Sequence, residues 1–231
     1  MDQAYAVQEA AIALWADPII GWKVAATGRP LAGMSAGRLI GPVFSGGLWC
    51  SGSDPVAAPL FADGFGAVEA EYVLRLGCSV LPRMGWTTDA VAPLVDAAFI
   101  GMEIAGSPYP EINVHGPEVT ASDFGNNLGL VVGPEIPGWR QALVSGACVM
   151  RIDGTVVGRG GADAIPGGPL ESLAILLNLL GARGRGLSRG DLVSTGATTG
   201  VHAVGDGQIA VADFGQHGVV SCRMRRHDGV I

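Results

Sequence analysis

From Ile19 onward the apolar positions of this chain fall in short runs broken by glycine, and several runs alternate with the period of two that marks a strand. In residues 67–76, Val68, Ala70, Tyr72, Leu74 and Leu76 share one face, while Glu69, Glu71, Val73 and Arg75 share the other. A second run, 97–105, is almost continuously apolar and is interrupted by Glu103. Residues 2–16 contain few breakers and end at Asp17-Pro18, which predicts an opening helix. Residues 169–180 predict another, with Pro169 in its first turn and Gly181 just past its end. Asp153-Gly154 and Asp206-Gly207 sit between apolar runs and read as hairpin turns. Residues 28–42, rich in Gly, Arg, Pro and Ser, read as a loop that could cover a site. The fold class predicted is β-rich α+β: an N-terminal helix over 1–18, then one β-rich domain over 19–231.

Glu69 and Glu71 are the most informative positions. Two strand rises separate their backbones by roughly 6–7 Å, so both carboxylates can converge on one small cation. With Glu103 they make three hard oxygen donors, a set suited to Mg²⁺. Paired acids on a strand also suit the solvated face of an antiparallel sheet. Glu103 argues against that reading, because it has no alternating polar neighbours and a buried carboxylate is costly unless paired or metal-bound. Lys23, the only lysine, lies in an apolar stretch beside Trp22. Arg75 shares the glutamate face and could balance their charge or bind a substrate carboxylate.

Composition narrows the classes. The chain has 231 residues, 48% hydrophobic and 15% charged, enough to form a substantial core and too apolar for disorder. A net charge of −7 disfavours nucleic acid as a partner. Cys50, Cys78, Cys148 and Cys222 form no CxxC pair and read as buried thiols in a reducing compartment. The N-terminus lacks the basic region of a signal peptide, and no apolar run reaches the roughly 18 residues of a membrane span, so a cytoplasmic protein is expected. Gly33-Met34-Ser35-Ala36-Gly37 matches the nucleophile-elbow spacing, but Thr27–Leu31 is a poor strand to precede it. The cluster Gly181–Gly186 lacks the lysine of a phosphate loop and reads as a helix stop with two solvated arginines. Glu111 and His115 read as a solvated loop.

Several pieces then fall in one order: Ala4-Tyr5-Ala6-Val7-Gln8, Gly21-Trp22-Lys23-Val24, Val68-Glu69-Ala70-Glu71, Glu103-Ile104, Asp123 with Asn126-Asn127 and Val131-Val132-Gly133, and Gly190-Asp191-Leu192-Val193-Ser194-Thr195-Gly196. From about Ala4 to about Phe214 the chain resembles the 2-keto-4-pentenoate hydratase branch of the fumarylacetoacetate hydrolase superfamily. The resemblance implies a mixed β-roll, a Mg²⁺ or Mn²⁺ cofactor, and homodimers or larger homo-oligomers. It carries metal ligation to Glu69, Glu71 and Glu103, the family lysine to Lys23, and the family aspartate to Asp123. There are departures. Family members begin well before this chain does, which implies a truncated N-terminal region or a misassigned start. Residues 39–44 lack an aspartate the family often has, Phe124 replaces a common asparagine, and Val24-Ala25-Ala26 replaces a glycine.

The activity implied is hydration of a 2-hydroxyalka-2,4-dienoate to a 4-hydroxy-2-oxo acid in aromatic meta-cleavage catabolism. The substrate's C1 carboxylate and C2 oxygen would chelate the metal, and Lys23, desolvated near a dication, would have a lowered pKa and carry protons. Lys23 could instead snorkel to the surface. Asp123 could hold Lys23 or the attacking water, or serve a turn. Asn126 and Asn127 could bind substrate or only satisfy backbone. A 4-oxalocrotonate-type decarboxylase shares the same chelate. An acylpyruvate-type C–C hydrolase ranks third, because residues 24–45 contain neither histidine nor glutamate. A catalytically inactive subunit that stabilises an active decarboxylase-like partner is the reading from a different class.

Overall fold

A computed structural model describes residues 1–27 and 37–227. In chain order the helices are α1 (Asp2–Leu14), α2 (Thr88–Val91), α3 (Pro117–Ser122), α4 (Trp139–Ser145) and α5 (Gly168–Gly181). The strands are β1 (Ile19–Ala26), β2 (Arg38–Phe44), β3 (Leu48–Cys50), β4 (Val56–Phe61), β5 (Phe65–Leu76), β6 (Val95–Ser107), β7 (Asn127–Glu135), β8 (Ala147–Ile152), β9 (Thr155–Gly161), β10 (Leu192–Ser194), β11 (His202–Ala203), β12 (Ile209–Asp213) and β13 (Val219–His227).

The larger sheet runs β2-β1-β10-β5-β6-β7-β3, with β11 paired to β5, and the smaller runs β4-β13-β12-β8-β9. Pairing is mixed: β1–β10, β3–β7 and β4–β13 are parallel and the remaining pairs antiparallel. The apolar face of β5 (Val68, Ala70, Tyr72, Leu74, Leu76) joins Ile100, Met102 and Ile104 of β6 in the main core. Met150, Ala210, Val220 and Met224 of the smaller sheet and Leu173, Leu176 and Leu180 of α5 belong to the same cluster. Alternation along β5 therefore fixes the site: with one face committed to the core, Glu69 and Glu71 must point the other way.

Helix α1 is fastened to this frame by polar contacts. The buried Gln8 amide donates to the carbonyls of Ile40 (3.0 Å) and Ala121 (2.7 Å), and the Ile40 N–H donates to the Tyr5 hydroxyl at 3.1 Å. The arginines expected in solvent pin it as well, because Arg183 lies over the Tyr5 ring and Arg185 pairs with Glu9.

Other expectations change. Arg38 to Pro42, read as loop, open strand β2; Pro42 is tolerated there because β2 is a sheet edge. The serine of the elbow-like motif and most of the 28–42 loop lie outside the described residues. Asp153-Gly154 is the β8–β9 hairpin turn, both residues with positive φ. Asp206-Gly207 is not a hairpin: it carries the chain from β11 of one sheet to β12 of the other. Cys148 and Cys222 are buried as expected, Cys50 and Cys78 are exposed, and all four are free. Among the described residues no helix is long and apolar enough to cross a membrane.

Candidate active site

The antiparallel register of β5 and β6 sets Glu69 directly opposite Glu103, with Glu71 two residues along. One carboxylate oxygen from each lies within 4.8 Å of the others. The three residues are 5%, 1% and 0% exposed, so the solvated-face reading does not hold. Like charges placed opposite one another in a low-dielectric site repel strongly. Burial, then the neighbouring Glu103, raises Glu69 to about 7, partly offset by Lys23. Burial, Glu103 and Glu69 push Glu71 well above the usual carboxylate range, against hydrogen bonds from Ser194 and Gly196. Glu103 Oε2 is buried without a hydrogen-bond partner. Three buried carboxylates, a single lysine and an orphaned oxygen fit a hard divalent cation.

Lys23 reaches the cluster from β1, its Nζ 2.9 Å from Glu103 Oε1 and 3.3 Å from Asn126 Oδ1, and it is 1% exposed. It does not snorkel. The expected lowering of its pKa is reversed in this cluster. Burial pulls the ammonium down, but attraction from Glu103 and Glu69, the Glu103 hydrogen bond and Glu71 together hold it above its ordinary value.

The glutamates are oriented by neighbours that sequence reasoning left without a role. Glu71 Oε2 accepts from Ser194 Oγ (2.5 Å) and the Gly196 N–H (2.8 Å). Thr195 and Thr198 hydroxyls donate to the carbonyls of Tyr72 (2.8 Å) and Ala70 (2.7 Å), tying this segment to β5. The signal was the polar run Ser194-Thr195 at the end of a buried strand, whose hydroxyls need partners. Asn127 donates to Glu103 Oε1 at 3.0 Å, and Asn126 links Lys23 to Asn113, 3.2 Å from its Nδ2. Both asparagines therefore position the cluster itself. They are aimed by a strained turn in which Phe124, Gly125 and Asn126 all have positive φ. That turn crosses β2 so closely that a Cβ on Gly41, the residue paired with Lys23, would lie 1.8 Å from the Phe124 carbonyl oxygen.

A cavity of about 830 Å³ opens onto the cluster, lined among others by Lys23, Thr27, Arg38, Glu69, Asn113, His115 and Asn126. Of the expected residues Lys23, Glu69 and Asn126 line it, whereas Glu71, Glu103, Asn127, Arg75 and Asp123 do not. Arg75 bonds Asp96 at 2.8 Å on the surface, where Asp96 rather than the glutamates balances its charge. Asp123 lines a separate aromatic pocket of about 340 Å³ with Trp15, Phe44 and Phe124, bonds Ser107, and among the described residues forms no hydrogen bond or ion pair with Lys23. His115 joins the cavity wall instead. Its Nε2 is 2.7 Å from the Tyr109 hydroxyl and 3.4 Å from Glu111, so the loop read as merely solvated contributes to the cavity.

No family model matches the chain. Over 75 residues it is 39% identical to the 4-oxalocrotonate decarboxylase of Pseudomonas putida, a match spanning 32% of this chain and 28% of that protein's length. Among solved structures, the 4-oxalocrotonate decarboxylase of Pseudomonas putida G7, complexed with magnesium and adipate, superposes with a TM-score of 0.80 at 23% identity, covering 96% of this chain and 84% of that one. The fumarylpyruvate hydrolase of Pseudomonas aeruginosa, in complex with Mn²⁺ and pyruvate, gives 0.66 at 15% identity over 91% of both chains. The two-sheet architecture is thus the β-rich fold of the fumarylacetoacetate hydrolase type, as the ordered motifs implied. The hydratase branch is not singled out: decarboxylase, hydrolase and isomerase structures share the fold.

Proposed function

We propose that this chain is a divalent-metal-dependent lyase acting on a 2-oxo acid, of the 4-oxalocrotonate decarboxylase kind, with residues 19–231 as one catalytic unit. The observation that carries the reading is the convergence of three buried carboxylates against one lysine, a cluster that meets a cavity at Glu69 and Lys23. The decarboxylase likeness in sequence and in fold supports the reaction class. Glu69, Glu71 and Glu103 would hold Mg²⁺ or Mn²⁺, the ions named for the two solved neighbours. When bound, such an ion polarises the 2-oxo group and favours the enolate.

The chain's own residues supply the rest. Glu71 is held in one orientation by Ser194 and Gly196, and Glu103 by Asn127, so two of the ligating carboxylates are preorganised. Lys23, held protonated, donates to the enolate oxygen formed as the C5–C6 bond of 2-oxohex-3-enedioate breaks. The bond pair moves through C4 and C3 to that oxygen, CO₂ departs, and the dienol 2-hydroxypenta-2,4-dienoate remains. Neutralising the glutamates weakens the field that raises the lysine, which readies it to give up its proton.

Hydration is the second reading, and His115 favours it. A histidine on the cavity wall, bonded to Tyr109 and facing Glu111, is the kind of group that serves as a base in hydration. Incubation of 2-oxohex-3-enedioate and of 2-hydroxypenta-2,4-dienoate with Mg²⁺ or with EDTA, with products identified by NMR, tests both. Metal-dependent CO₂ release is expected, and Glu71→Gln should abolish it. Turnover of the dienoate alone would replace decarboxylation by hydration, and turnover in EDTA would sink the metal-dependent reading.

A further inference from the structure

The cavity contains a second cation that the proposed chemistry does not use. Arg38, the first residue of β2, lines the same cavity as Lys23 and Glu69 and is 2% exposed. Among the described residues its guanidinium makes one hydrogen bond, from Nη2 to the Pro166 carbonyl at 2.8 Å, and no ion pair. Among the described residues the remaining donors of the guanidinium fork have no acceptor. Unlike Nη1 and Nη2 of Arg183 they are not fully enclosed, and Arg38 borders the cavity. Arg38 Nη1 lies 3.8 Å from where a Cβ on Gly196 would stand, and the Gly196 N–H holds Glu71. The two carboxylates whose fields reach Arg38 are engaged elsewhere: Glu71 by Ser194, and Glu171 by the Thr88 hydroxyl at 2.5 Å. Lys23 is likewise committed to Glu103 and Asn126.

A buried guanidinium with free donors is costly unless an anion completes it, and its planar fork matches a carboxylate. Lys23 pairs with Gly41 and Arg38 with Ala26 on one ladder, so the two cations start three residues apart, roughly 10 Å along the strands. An acid bound by its 2-oxo end at the glutamates has room in the cavity to extend toward Arg38. We infer that Arg38 binds a second carboxylate of the substrate, so that the site selects 2-oxo dicarboxylic acids over 2-oxo monocarboxylic acids of equal length. The inference rests on the proposed 2-oxo acid chemistry and adds the residue that reads the far end. In the proposed reaction this carboxylate leaves as neutral CO₂, so the ion pair is lost in the transition state and its removal should raise KM without lowering kcat.

The test compares 2-oxoadipate with 2-oxohexanoate, which differ only in the terminal carboxylate, by calorimetric binding to the Mg²⁺-loaded protein. Wild type should favour the diacid by about 10- to 100-fold, as expected for a charge-assisted bidentate contact. Arg38→Met should remove the preference while leaving monoacid affinity within about threefold. Arg38→Lys, which keeps the charge and supports folding if the methionine variant does not, should retain only part of it. For 2-oxohex-3-enedioate, Arg38→Met should raise KM, with kcat equal to or above that of wild type. Equal wild-type affinity for both acids, abolished by Glu71→Gln, would overturn the role of Arg38 and leave the metal-dependent reading standing. Binding of neither acid by wild type would overturn both. Equal weakening of both acids in Arg38→Met would assign Arg38 to the shared 2-oxo acid end and overturn the selectivity.

Discussion

The two faces of β5 are almost equally buried and do opposite things to stability. On one face Val68, Ala70, Tyr72, Leu74 and Leu76 are all 0% exposed, and each large apolar side chain there contributes about 1.5–3 kcal/mol. On the other, Glu69 and Glu71 are nearly as inaccessible, yet their ionisation opposes folding, because burial and mutual repulsion favour the protonated forms. The fold thus tolerates a destabilised patch at its centre by anchoring the same strand through its opposite face. A patch that costs stability and is nonetheless oriented atom by atom is what a ligand-binding site requires.

The contrast can be broken from either side. The largest effect should come from Glu71→Gln. Loss of metal-assisted turnover is expected to reach on the order of a thousand-fold. The same variant, freed of EDTA-removable metal, should melt at or above the wild-type temperature, since the amide still accepts from Ser194 and Gly196 while one repulsive charge is gone. A clear drop in melting temperature would mean that the carboxylate is structural. On the apolar face, Leu74→Ala should lower unfolding free energy by about 2–5 kcal/mol in urea titrations, with kcat for the folded fraction retained.

Ser194→Ala sharpens the comparison, because it disturbs only the orientation of Glu71. A loss of about 10- to 100-fold in metal affinity is expected, with little change in stability. Unaltered affinity would show that the Gly196 N–H alone suffices. The smallest effect is a pH dependence. Glu69 has a folded pKa of about 7 against an ordinary value of 4.5, so between these limits the folded protein holds a proton that the unfolded chain releases. Stability from this group is therefore present below about pH 4.5 and is lost as pH rises through about 7. Melting temperatures of the metal-free protein should fall across that window, and Glu69→Gln should flatten the slope.

Much of this site was legible in the sequence. Period-two alternation placed Glu69 and Glu71 on one face, and an acid interrupting the apolar run marked Glu103. The sole lysine in an apolar stretch marked Lys23. Features that depend on long-range placement were not legible. Arg38 looked like part of a Gly- and Pro-rich loop, since an edge strand that accommodates Gly41 and Pro42 lacks a strand's composition. Arg75 shares a face with the glutamates, yet three strand positions from Val73 to Arg75 suffice to reach the surface and Asp96. The direction of the Lys23 shift depended on three carboxylates drawn from two strands, and the separation of Asp123 from Lys23 on a turn of positive-φ residues.

Glu69, Glu71 and Glu103 are proposed to hold one divalent cation together. Titration of Mn²⁺ into metal-free protein, followed by electron paramagnetic resonance of the free ion, measures it without substrate. One bound Mn²⁺ per chain is expected in wild type, displaced by Mg²⁺, and none at comparable concentration in Glu103→Gln. Wild-type Mn²⁺ affinity in that variant would contradict it.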